Sequence, residues 1–164
     1  MTTGRIEVGP SGRTVAANVK RLREARGLTL RALSAALKEH GRPLSADALN
    51  KIENGASEEP RSIRRVDVDD LMALAVVLGV SPVTLLLPAD ARGEAEITGA
   101  GRVHGQEAWM WAWCTDPLTL PDGDEEADRA VTEFLLNSRP IGLFSPQGDD
   151  RLLPHSPRRK RRDG

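Results

Sequence analysis

The chain has 164 residues, enough for one ordinary domain or for a small domain with an appendage. Its 23 Lys and Arg nearly balance 24 Asp and Glu, but unevenly along the chain: residues 13–65 hold 12 basic against 6 acidic side chains, residues 66–88 three Asp and no base, residues 89–157 5 basic against 13 acidic, and residues 158–162 are five consecutive bases. A basic front, an acidic back and a basic tail point toward nucleic-acid contact. The single Cys, Cys114, excludes an internal disulfide framework and a multi-thiolate zinc site, and it fits a reducing cytosol. No apolar run approaches the ~20 residues that span a bilayer. The opening MTTGRIEVGPSGR lacks the apolar core of a secretory signal, so a cytoplasmic location is expected and no membrane partner.

Residues 1–13, with Gly4, Gly9, Pro10 and Gly12, show no periodicity and read as a flexible arm. Thr14 reads as the N-cap of a first helix with Val15, Val19 and Leu22 on one face, closed by Gly27. Thr29 opens a second, with Leu30, Leu33 and Leu37 on one stripe and Gly41 then Pro43 as its stop. Ser45 caps a third over residues 45–54, whose anchoring stripe is Ala48, Leu49 and Ile52 and whose end is Gly55. After a polar stretch, Asp67 caps a fourth helix with Leu71, Leu74, Ala75 and Leu78 inside, and Ser81 and Pro82 start a short fifth. All five aromatic residues follow residue 108, so aliphatic packing alone must hold the front.

Three stretches in order, LREARGLTLRALSAAL, SADALNKIENG and VDDLMALAVVLGVSPVTLLLP, resemble the Xre or lambda-repressor-like helix-turn-helix family. The resemblance spans residues 14–88 and implies an all-α, five-helix DNA-binding domain of bacterial or phage regulators. It also implies that Ala46, Asp47 and Lys51 on the third helix face bases, with Asn50 nearby. Lys51 suits guanine O6 and N7, Asn50 adenine, and Asp47 cytosine N4, while Ala46 offers only a methyl. Phosphate contacts are expected from Thr29, Arg31, Ser45, Asn54, Arg61, Arg64 and Arg65, with Glu58 and Glu59 weighing against Arg61. Arg13, Lys20 and Arg42 stay open between phosphate contact and solvated surface. The resemblance further implies a structural ion pair between Arg23 and Glu53. Two departures stand out. The link from second to third helix is some five residues longer than usual, and Leu30 stands where many relatives carry a DNA-touching Gln.

Residues 89–103 read as a linker and residues 104–145 as a small helical region. Trp109, Trp111 and Trp113 alternate as in a strand, yet Trp109 and Trp113 also share a helix face, and a helix near residues 106–114 is preferred. Residues 124–138 form an amphipathic helix with Ala127, Ala130, Val131, Phe134 and Leu135 on one stripe, suited to a local core or, less favoured, a dimer surface. Residues 146–164 read as a disordered basic tail, with Arg158, Arg159, Lys160, Arg161 and Arg162 as auxiliary DNA contacts or mere solubilising charge.

No enzyme survives inspection. GAGRVHG at residues 99–105 has no preceding strand in this reading and no βαβ unit, so it is no phosphate loop. His40, His104 and His155 lack metal-ligand spacing, Cys114 reads as a small buried hydrophobe, and the helix macrodipole accounts for Asp69 and Asp70. No cofactor and no metal are expected. The expectation is a sequence-specific transcriptional regulator, a repressor acting by operator occupancy with the third helix in the major groove of double-stranded DNA. A homodimer and a protein partner for the C-terminal region are the further expectations. The alternative is a protein-interaction module, an antitoxin or adaptor, that keeps the fold with weak DNA affinity.

Overall fold

The computed structural model describes residues 7–57 and 62–140, in two compact units that divide after Gly105. Arg61, Glu58, Glu59 and the basic tail therefore lie outside the described residues.

The first unit is built on α1 (Pro10–Ala25), α2 (Leu30–Glu39), α3 (Ala46–Glu53), a 3₁₀ turn (Asn54–Ala56), α4 (Val68–Val77) and α5 (Pro82–Leu86). Its core is aliphatic throughout: Val15, Val19, Leu33, Leu37, Leu44, Leu49, Ile52, Leu74, Ala75, Leu78 and Leu85 form one buried cluster. Each of four helices is started by a side chain that accepts from an orphan amide. Thr29 takes Ala32 N, Ser45 takes Ala48 N, Asp67 takes Asp70 N and Ser81 takes Val83 N. Buried Asn18 ties α1 to the end of α5, its amide donating to Leu85 O and Leu87 O at 3.2 and 2.8 Å. Nothing in the apolar periodicity announces that contact.

The expected arm of residues 1–13 is corrected at its C-terminal end, because α1 starts at Pro10 rather than after Thr14. Pro10 occupies the first helical position, where its missing N–H costs nothing. Thr14 is inside the helix, its hydroxyl donating back to Pro10 O at 3.3 Å. At Gly12 a Cβ would lie 2.6 Å from Val8 Cγ1, so this glycine makes room for a packed valine rather than loosening the chain.

The expected linker over residues 89–103 is also corrected. An antiparallel hairpin, β1 (Glu94–Ile97) with β2 (Gly101–His104), pairs Ala95 with Val103 and Ile97 with Gly101. It docks on the N-terminus of α1. Thr98 and Ser11 exchange two hydrogen bonds, Ser11 N to Thr98 Oγ1 at 3.3 Å and Thr98 N to Ser11 Oγ at 3.0 Å, and Arg13 meets Glu96 at 3.4 Å. A strand does therefore precede GAGRVHG, whose first residues form the hairpin turn.

In the second unit, α6 (Gly105–Ala112) starts at the boundary and carries Trp109 and Trp111, and α7 (Asp124–Ser138) follows. The Trp109 and Trp113 rings lie 5.6 Å apart at 56°. No residue of α7 is buried: its apolar stripe is only half-covered and Leu136 is 78% exposed, so α7 does not supply the buried local core expected of it. Cys114 is half-buried rather than buried, and its carbonyl accepts from Arg139 Nε at 3.0 Å. No helix among the described residues is long and apolar enough to cross a membrane, and no group of three or more His, Cys, Asp or Glu among them is placed to hold a metal.

Candidate nucleic-acid interface

Helix α3 is short, and its burial is one-sided. Leu49 and Ile52 are fully inside and Glu53 is 8% exposed, while Asp47 and Asn50 are exposed and Ala46 and Lys51 half-exposed. A helix so anchored presents one stripe to whatever lies outside the domain.

Its position is set from three directions. The first is Arg23 on α1: Nε donates to Glu53 Oε1 at 2.6 Å, Nη2 to Glu53 Oε2 at 2.8 Å, and Nη1 to Leu28 O at 2.9 Å. This bidentate fork raises the Arg23 pKa above its ordinary value, the hydrogen bond to Glu53 being the largest cause.

The second is the long connection from α2. At its start Gly41, at φ +79°, donates to Lys38 O, and Arg42 N donates to Leu37 O, so the helix ends in a Schellman turn that an L-residue would strain. Ser34 Oγ then donates to Leu44 O at 2.5 Å. The connection is thus ordered, and it delivers Arg42 to α4.

The third is a network that the macrodipole reading of Asp69 and Asp70 missed. The Asp70 side chain is 0% exposed, and a helix dipole by itself does not hold a carboxylate out of water. Arg42 Nε donates to its Oδ1 and Arg64 Nη2 to its Oδ2, each at 2.8 Å. Arg42 Nη2 also donates to both oxygens of Asp67, at 2.9 and 2.7 Å. The Asp67 carboxyl is held below its usual range, first by the Asp70 amide it accepts from and then by Arg42. Arg42 is raised, chiefly by its hydrogen bond to Asp70.

The expected contact residues are therefore in different states. On the outer stripe, Lys51 Nζ lies 2.7 Å from Asp47 Oδ2, so these two neutralise each other in the free protein. Such an i,i+4 surface pair is worth about 0.3–0.5 kcal/mol, whereas a good bidentate base contact discriminates by about 1–3 kcal/mol, so a guanine would draw Lys51 away at small cost. Arg31 is exposed at the start of α2, close to the capped amides of Thr29. Asn54 is the C-cap of α3. Arg65 Nε donates to Glu7 O at 2.8 Å, Lys20 is exposed, and Arg13 belongs to the hairpin contact. Arg64 and Arg42 are engaged by Asp70 on one side and, at 39% and 35% side-chain exposure, are open to solvent on the other.

Residues 14–87 match the family model of a helix-turn-helix domain. The match agrees with the Xre-like resemblance of the sequence. No curated protein and no solved structure matches the chain.

Proposed function

We propose that the protein is a sequence-specific DNA-binding transcriptional regulator, a repressor that acts by occupying its operator with α3 in the major groove. The observation that carries this reading is the one-sided anchoring of α3, with Leu49, Ile52 and Glu53 inside and Asp47, Asn50 and Lys51 on the outer stripe. Lys51 and Asn50 are assigned to base edges, with Asp47 accepting from cytosine and Ala46 in methyl contact. Arg31, the amide ends capped by Thr29 and Ser45, Asn54, Arg61 and Arg65 are assigned to the flanking phosphates. If the regulator binds as a dimer, half-sites lie about 34 Å apart.

Selection of bound duplexes from a random pool tests the reading. Enrichment of a defined motif supports it, and a palindrome gives operator and symmetry together; no enrichment at low salt overturns it. One observation favours a second reading, a protein-interaction module: Asp47 cancels the only cation of α3. Salt separates the two, since a regulator's log affinity falls by roughly 0.9 per phosphate contacted with log salt, whereas a module without DNA affinity shows no such slope.

A further inference from the structure

Helix α3 packs on α1 and α2, and two arginines that bracket it in sequence converge on Asp70 of α4. Arg42 stands three residues ahead of the Ser45 N-cap. Arg64 follows the helix, and its backbone N–H donates to Lys51 O, in the last turn, at 3.1 Å. Both guanidinium groups converge on one buried carboxylate while remaining 35% and 39% exposed on their other sides. The carboxylate thus ties the chain before the outer stripe and the chain after it to one fixed point at the start of α4. It also holds two cations close to the proposed DNA face without surrendering them to solvent.

We propose that Asp70 is a positioning and specificity-determining residue for α3: through Arg42 and Arg64 it fixes the frame of the reading helix and withholds both arginines from indiscriminate phosphate contact. The inference rests on the DNA-reading role proposed above. A cation released near the groove raises affinity for every duplex alike, because phosphate contact carries no sequence information. A cation engaged by Asp70 contributes geometry instead.

Asp70→Asn in the full chain keeps the side-chain shape and removes the charge. The specificity ratio, affinity for the selected duplex over a random one, is expected to fall about tenfold, the scale of one mismatched base pair. For the random duplex, the salt slope is expected to steepen by up to about 1.8, two phosphates at roughly 0.9 each. Amide hydrogen exchange is expected to quicken along Leu49 to Glu53 relative to α1. An unchanged ratio together with an unchanged slope overturns the proposal. So does a parallel loss of specific and random binding with exchange quickened uniformly through the domain, which is what a merely structural residue gives. If Asp70→Asn does not fold, Arg42→Gln and Arg64→Gln each remove one arm and leave the carboxylate paired; each is expected to quicken exchange in α3 and lower the ratio, and no change in either variant overturns the proposal. Should the wild type select no duplex, the DNA-reading role fails by itself, and exchange in α3 still decides whether Asp70 positions it.

Discussion

Replacing Arg23 by Ala removes four hydrogen bonds at once, two to Glu53 and one each to Leu28 O and Glu24, and leaves Glu53, whose side chain is 7% exposed, as a buried carboxylate without its counter-ion. The Arg23 side chain is itself only 12% exposed, so water does not replace the fork, and the interior value of about 3–5 kcal/mol applies rather than the ~1 kcal/mol of a surface pair. For a domain of this size each kcal/mol moves the midpoint by about 4 °C or more, so the melting temperature should drop by at least about 12 °C. Thermal denaturation followed by circular dichroism at helical wavelengths reads this directly. Arg23→Lys retains the charge but not the planar fork and should fall between the two. Adding Glu53→Leu to Arg23→Ala should recover part of the loss, because an apolar pair avoids the stranded charge. A midpoint within about 3 °C of wild type for Arg23→Ala would show that the pair is worth no more than a surface contact, and the argument from burial would be wrong.

Ser45→Ala should cost about 1 kcal/mol through the lost cap on Ala48 N, and Ser45→Asp should restore most of it in the same melting experiment. In duplex binding, Lys51→Ala should relax preference at one base position, whereas Arg31→Ala should weaken all duplexes alike and shallow the salt slope by roughly 0.9; identical profiles for the two would mean the faces are misassigned. Asp67 has a folded pKa lowered from 3.8, so its contribution is present above that value and is lost as pH falls through the lower folded value. Acid unfolding should therefore steepen below about pH 4, and Asp67→Asn, which keeps a capping side chain, should make that limb shallower.

What the sequence disclosed well was whatever is local. Thr29, Ser45, Asp67 and Ser81 announce helix starts because a cap acts within three residues, and the aliphatic stripes of α2 to α4 announce their buried faces by period alone. Arg23 and Glu53 are 30 positions apart, and what brought them into consideration was the family likeness, not spacing. The hairpin was illegible for a related reason. β1 and β2 have four residues each and carry little apolar pattern, with Ala95 alone buried, and their place is fixed by Thr98 and Ser11, 87 positions distant.

Asp70 is the sharper case, because the local helix-start pattern is satisfied with or without burial. An acidic residue in the first turn of a helix is favoured by the dipole whether exposed or buried, and Asp69, at 83% side-chain exposure, fits that account. Its neighbour, pointing inward at the same helix start, is subject to a different constraint: a fully buried carboxylate must be paired, and its partners must come from other elements. Arg42 and Arg64 satisfy that demand from 28 and 6 positions away. Arg64, expected on a phosphate, and Arg42, left open between phosphate and solvent, are thus both engaged inside the domain. On the proposed DNA-reading role, the charge that the front half offers DNA is accordingly smaller than the count of its bases, and more of the burden of selectivity would fall on Asn50, Lys51 and the orientation of the helix that bears them.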